Sequence, residues 1–370
     1  MAIAIQPYSA DLIPAVRAFN KRLATGGVAP EFHFPESNIP DWLPKLDGRR
    51  IYQEYYLAVD GESVRGGFIL KFQDFFLAGK LQPVVYYHLP VSEGIINKAY
   101  AGVGVHMLRS ALKLRPMLFA LGMGGFDRPL PQMLQALGWN LCAVPFYFKA
   151  NHAAKFLREI APLRQSESRQ LLAGLAAFTG AGWAVMKLVD AVRTARPEPA
   201  LLVEKIDTFS ECDDDLWQQC REHYKLVAAR DCQTLNILYP RDKTFLRIRI
   251  SRRGKPIGWA VMLDSQMRDN KYFGNLRLGS IVDCLALPAD ASPVMHGATD
   301  FLKQRGVDLT ISNQSHHAWG SALRSSGFLK ARSNSIFAAS KALAELLAPF
   351  QSTQNQLFMN RGDGDGPVNL

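Results

Sequence analysis

Gly102 and Gly104 stand one residue apart, after a strand-like run closed by Pro90 and at the start of a helix-like run. The first turn of a helix has backbone N–H groups without partners and carries the positive end of the helix dipole, so it attracts phosphate oxygens. Glycine at both positions removes the Cβ atoms that would hold a pyrophosphate off that backbone. Lys98, just upstream, adds a point charge. The competing reading is an ordinary loop-to-helix junction with close helix packing. A second chemical signal is Asp283, a carboxylate inside the otherwise apolar run Ser280–Leu287. Such a group costs free energy unless it is paired or solvated by a cleft, so it reads as a functional acid, with an outward-facing strand position as the alternative. Metal chemistry is not expected. The five cysteines (Cys142, Cys212, Cys220, Cys232 and Cys284) form no CxxC pair, and no His/Cys set has zinc-ligand spacing. In the tail, Asp363 and Asp365 lack the calcium-loop pattern, and 360–370 reads as a surface turn or a disordered end.

The elements that must position these residues can be read in order. Asp11–Leu23 has helical apolar spacing, with Leu12, Val16, Phe19 and Leu23 on one face. Tyr52–Val59 and Val64–Phe72 flank the turn Asp60-Gly61-Glu62 and predict a hairpin. Val84–Leu89 is a strand, 102–114 a helix stopped by Pro116, and Met117–Met123 a short apolar strand. A helix over Leu130–Leu137 ends at Gly138, and Cys142–Lys149 reads as one closing strand. The same order returns later. Strands are expected over Phe245–Ile250, Ile257–Leu263 and Gly279–Leu287, a helix over 293–305, a strand over Val307–Ser312 and a helix over 317–326. Gly67 and Gly258, Pro90 and Pro288, and Gly138 and Gly327 recur at offsets of 191, 198 and 189, which argues for two copies of one fold.

Bulk properties agree. At 370 residues the chain exceeds what one core usually organises, and 48% hydrophobic with 21% charged residues is ordinary for a folded protein. The formal charge of +10 favours an anionic partner. The basic residues are scattered, the densest set being Arg247, Arg249, Arg252, Arg253 and Lys255, and no reading helix appears, which argues against nucleic acid. The first residues lack a basic start before an apolar run, so no signal peptide is read, and with few cysteines a reducing cytoplasm is expected. Leu171–Met186 is uncharged but shorter than the roughly 20 residues of a membrane span. It reads as a buried linker helix, with a peripheral membrane contact or a homodimer surface as the alternative.

The succession of hairpin, long strand, glycine loop, helix, strand, helix ending in Gly-aromatic and last strand resembles the GNAT acyltransferase superfamily. The residues carrying it are Leu89-Pro90, the stretch Ala99–Gly104 with Leu108, and Leu137-Gly138-Trp139. In the second half they are Gly254, Gly258, Leu287-Pro288 and Ser326-Gly327-Phe328. The family's loop signature places Arg or Gln three residues before its first glycine. Ala99 departs from it, while Gly102 and Gly104 fit. The resemblance implies an α/β (α+β) chain of two tandem GNAT-like domains, each a mixed central sheet flanked by helices. Expected boundaries are 1–150 for an acyl-CoA-binding domain, 151–200 for a helical linker, 201–345 for a second domain and 346–370 for a tail.

It further implies acetyl-CoA or another acyl-CoA as cosubstrate, with no metal, bound by Leu89, Val91, Lys98, Ala101, Gly102, Val103, Gly104 and Val105. An amine acceptor, a small molecule or a glycan, would attack the thioester directly, with strand 84–89 splayed from 117–123 to admit the pantetheine arm. Base candidates are Glu93, His88 and Glu54, for which a solvated loop carboxylate (Glu93) and a packed strand histidine (His88) are the plain alternatives. Asp283 is the acid candidate of the second half. His316-His317 reads first as a helix cap and second as an acceptor contact. The tyrosine that many relatives use as acid falls at Leu134 and Leu323, so both halves lack it. That departure keeps open a catalytically silent binding or scaffold protein. A Fem-like aminoacyl-tRNA-dependent transferase is the remaining alternative, without the basic helical hairpin many of those carry.

Overall fold

A computed structural model of the chain describes residues 3–152, 155–156, 159, 201–241 and 243–365. Leu171–Met186 and nearly all of the expected linker lie outside the described residues. From the N-terminus the strands are β1 (Ala4–Pro7), β2 (Tyr52–Asp60), β3 (Ser63–Leu77), β4 (Lys80–Ser92), β5 (Leu118–Met123), β6 (Asn140–Ala143) and β7 (Phe146–Ala150). They continue as β8 (Leu201–Lys205), β9 (Leu226–Ala228), β10 (Leu246–Arg252), β11 (Lys255–Gln266), β12 (Arg277–Ala286), β13 (Leu309–Asn313), β14 (Leu329–Ala331) and β15 (Ser335–Ala339). Among the helices, α1 spans Ile13–Thr25, α2 Val103–Leu114, α3 Pro129–Ala136, α4 Ala291–Gln304 and α5 His317–Ser325. Among the described residues, no helix is long and apolar enough to cross a membrane.

Two compact units result, and they do not follow the contiguous halves expected from the sequence. The first comprises Met1–Ala143, Lys225–Ala229 and Asn334–Thr353, and the second Val144–Tyr224, Arg230–Ser333 and Gln354–Leu370. The cause is an exchange of closing strands. In the first unit the sheet order is β1-β2-β3-β4-β5-β15-β6, so a strand from near the end of the chain lies between β5 and β6. In the second unit the order is β14-β7-β13-β12-β11-β10-β8, so β7 from the first half closes that sheet. The single strand expected over Cys142–Lys149 is therefore two strands in two sheets. Pro145, which has no N–H to give a ladder, breaks the run between them.

In the first unit α1 begins with Pro14 in its first turn and buries Val16, Phe19 and Leu23 against one sheet face, with Leu57, Ile69 and Val91. Each such side chain contributes about 1.5–3 kcal/mol. The other face carries Phe68, Leu70, Val85 and Tyr87 under Met107 and Leu108 of α2 and Leu134 of α3. Both faces being covered, β3 is buried nearly throughout. The internal repeat also survives at atomic detail. Gly138 and Gly327 both take left-handed φ, +80° and +86°, directly after α3 and α5. In each case the following residue's N–H returns to the leucine five positions back, Trp139 to Leu134 and Phe328 to Leu323.

Candidate functional site

In the first unit β4 and β5 run parallel but pair at only two positions, Val85 with Leu118 and Tyr86 with Phe119. Beyond them the strands part, as the splay expectation required. On its other side β4 stays on β3, with a register shift opposite Gly67–Ile69. Leu89, at the bulge, takes φ +44° and turns the strand. The edge of β4 beyond Tyr86 thus faces a fork, with Leu89 and Pro90 half-buried and Val91 buried.

The loop that follows is pinned by Glu93. This carboxylate is 4% exposed and bonds Arg22 of α1 (3.1 Å to Nε and 3.1 Å to Nη2) and Nη1 of Arg65 of β3 (3.0 and 3.2 Å). Arg22 also donates to the Val64 carbonyl at 2.6 Å, and Arg65 lies over the Tyr100 ring at 4.3 Å. Glu93 is therefore neither solvated nor turned to the fork; it ties the loop to α1 and β3. Burial pushes its carboxyl up, but the bonds and charges of Arg22 and Arg65 outweigh that and hold it below the usual carboxylate range. Asp264 in the second unit, with Arg277 and Arg305, is held low in the same way, and so is Asp308, with Lys155 and the Arg277 amide. Carboxyls depressed in the folded state add stability that is full above their unfolded values and lost as pH falls through the folded ones. Thermal melts should thus hold from neutrality to about pH 5 and fall progressively below about pH 4; a flat profile down to pH 3 would contradict these ion pairs.

At the far side of the loop α2 starts with Gly102 as its cap, without any side-chain cap. Gly102 has an ordinary φ of −75°, and a Cβ built on it would meet nothing within 4 Å. At Gly104 the nearest atom would be Ser92 Oγ, 3.8 Å away. Neither backbone strain nor helix packing demands glycine here, which removes the close-packing alternative. Lys98 and Ala101 are exposed beside this open cradle, Val105 is half-buried, and Val103 turns into the core.

His88 lies on β4 past the last rung to β5. Its Nδ1 is 3.2 Å from Tyr86 Oη, which donates to the Leu121 carbonyl on β5 at 3.0 Å. With that phenol proton committed, Nδ1–H is the donor to Tyr86. Lys71, missed from the sequence, sits buried on β3 opposite Tyr86, with its ammonium 5.4 Å from the Trp42 ring and 5.7 Å from the Tyr86 ring. A lysine inside the run Gly66–Phe72 was the available signal, by the reasoning applied to Asp283. Glu54 pairs with Lys45 and accepts from Tyr56 Oη, away from the fork.

The second unit has the matching fork, and its own tail enters it. Strand β12 pairs with β13 only from Leu278 to Ile281 and then continues to Ala286. Met359 exchanges hydrogen bonds with Ser315 just past β13 (3.0 and 2.8 Å), and Gln314 bridges Asn360. Asn360 Nδ2 reaches Asp283 on β12 at 2.8 Å, so the tail spans both arms. The expected functional acid Asp283 is fully buried and bonded to Arg230 (2.9 Å) and Tyr239 Oη (2.7 Å). Asp363 meets Arg230 at 2.7 Å. Both expectations are corrected. Asp283 is part of a sealed ion cluster rather than a cleft, and the tail through Asp363 is interior structure rather than a surface turn. Burial pushes the Asp363 carboxyl up against the pull of Arg230. No group of His, Cys, Asp and Glu suited to a metal occurs among the described residues. His316 does cap α5, accepting from Ala318 N at Nδ1 (3.2 Å); burial first, then His317, holds it down to about 4.

No family model matches the chain, and no curated protein matches it. Solved structures do. One is a protein of unknown function from Enterococcus faecalis V583, described as a probable N-acyltransferase. It is 9% identical, with 94% of this chain and 74% of that one covered at a TM-score of 0.52. Another is Saccharomyces cerevisiae N-myristoyltransferase with bound myristoyl-CoA and inhibitors, 9% identical, covering 91% and 79% at 0.51. At such identities the likeness is one of fold.

Proposed function

We propose, for a chain that carries the GNAT-like fold twice, that the first unit is an acyl-CoA-dependent acyltransferase acting on an amine acceptor. The observation that carries this is the cradle at Gly102 and Gly104, where among the described residues no close packing calls for glycine and no side chain caps the start of α2. Backbone N–H groups of Val103, Gly104 and Val105 would hold the pyrophosphate, with Lys98 as a nearby charge, and the open edge of β4 at Leu89 and Val91 would hold the pantetheine arm. Bound there, acyl-CoA supplies an activated thioester carbonyl. His88, half-buried on β4 just past the last rung to β5, is the side chain we assign to take the acceptor's proton. Glu93 and Asp283 are occupied by arginines and are not assigned this role.

The floor of the fork supports a short acyl group. Tyr86 stacks on Phe119 at 5.1 Å, and Phe119 meets Phe75 at 5.4 Å and Phe337 at 5.9 Å. Acetyl- and propionyl-CoA should therefore bind and turn over, whereas chains of ten carbons or more should not compete; a preference for long chains would contradict the filled floor. A test of the cradle itself is Gly104→Val. Because a Cβ has room there, the variant should melt within a degree or two of wild type, yet bind CoA at least about tenfold more weakly. Equal affinity would take the cradle out of the site. Leu134 and Leu323 favour a second reading, a cofactor-binding protein without turnover, which an acceptor screen by thiol release would separate from the first.

A further inference from the structure

Tyr87 is the first residue of β4 beyond its last rung to β5. Strand alternation turns it away from Tyr86 and His88, onto the face covered by α2 and α3. There it shares a core cluster with Leu134, with Ala120 of β5 and with Val103 from the first turn of α2. The ring is 1% exposed and lies 5.4 Å from Phe68. Its Oη is buried and has no hydrogen-bond partner among the described residues. Phenylalanine would fill that space without leaving an orphaned hydroxyl, and buried hydroxyls in folded proteins normally have partners. A donor kept at this cost, on the strand that borders the fork and in one cluster with Leu134, which stands where the usual phenol would be, calls for an acceptor brought by the ligand.

We propose that Tyr87 Oη donates a hydrogen bond to the sulfur leaving the acyl thioester. The inference rests on the acyl-CoA reading of the fork. In the transfer the acceptor nitrogen bonds to the thioester carbon, and the C–S bond breaks with its electron pair on sulfur. The proton lost by the amine finally rests on that sulfur, giving an amide and a free thiol. Burial pushes the Tyr87 phenol up, so its proton stays on oxygen and the hydrogen bond to the nascent thiolate is its contribution.

The test uses the full chain, free CoA as the probe, and Tyr87→Phe. Thiolate formation on bound CoA is followed by its ultraviolet absorbance across pH. The wild type should hold the bound thiol about 1–2 pK units lower than Tyr87→Phe does, the size of one hydrogen bond to a charged group. The variant should melt at the same temperature as wild type or higher, since it loses an unsatisfied group. If both proteins bind CoA and the thiol titrates alike in each, Tyr87 has no such role while the cofactor reading stands. A melting temperature several degrees lower in the variant would mean that Oη has an internal partner, and would also overturn the assignment. If neither protein binds CoA, the fork reading falls and the inference with it.

Discussion

Arg230→Ala should cost the second unit about 3–5 kcal/mol, a large part of the 5–15 kcal/mol that usually holds a domain together. The guanidinium is fully buried between Asp283 and Asp363, and removing it takes away the cation that these two buried carboxylates share. Deleting 357–370 should be worse, because Leu357, Phe358 and Met359 are all fully buried as well, each worth about 1.5–3 kcal/mol. That deletion should yield aggregated protein, whereas Arg241→Ala, at an exposed pair with Asp207, should shift stability by less than about 0.5 kcal/mol. Urea unfolding of the three variants checks this. An Arg230→Ala protein within about 1 kcal/mol of wild type would contradict the sealed cluster. The same bonds bear on function. The backbone and side-chain groups through which a second cofactor arm would be held are taken by Met359 and Asn360, so one CoA per chain is expected.

Glu93→Ala should weaken CoA binding more than any other single change outside the cradle. It leaves Arg22 and Arg65 together without their shared carboxylate and frees the loop from 93 to 102, including Lys98 and the entry to α2. Part of each guanidinium reaches solvent, which softens the stability cost to about 2–3 kcal/mol, below that of a fully buried pair. CoA affinity should fall by more than about tenfold, since the loop that presents the α2 N-terminus is no longer held. Glu93→Gln keeps the shape but not the charge and tests the positioning role against the base role that the ion pairs argue against. A positioning role predicts weaker binding and a raised KM, with the turnover of bound substrate largely kept. A base role predicts unchanged binding and a collapse of kcat.

Much of the scaffold was legible because it rests on local signals. Apolar spacing located α1, and glycine after an apolar helix marked the ends of α3 and α5; Val84–Leu89 located the middle of β4, but Pro90 does not end that strand, which runs on to Ser92. His316 was read correctly as a cap because its bond to Ala318 N lies within one turn. What escaped depends on distant partners. β7 and β15 look like any short strands, and nothing local in Phe146–Ala150 or Ser335–Ala339 says which sheet each will join. Glu93 and Asp283 were noticed as chemistry-bearing, but their arginines lie 71, 28 and 53 positions away, so sequence proximity could not separate a base or an acid from an anchor. The tail misled for a related reason. Asn360, Gly362 and Asp363 are turn formers, and here they make a turn inside the second unit, with Gly362 so close to Tyr239 that a Cβ would have no space.

Calorimetric titration of acetyl-CoA into the full chain, with dephospho-CoA and pantetheine in parallel, tests the central claim most directly. An acyl-CoA site at the Gly102–Gly104 cradle predicts saturable binding at one per chain, weaker without the 3′-phosphate and lost without the pyrophosphate. No detectable binding of any of the three, or pantetheine binding as tightly as acetyl-CoA, would contradict it.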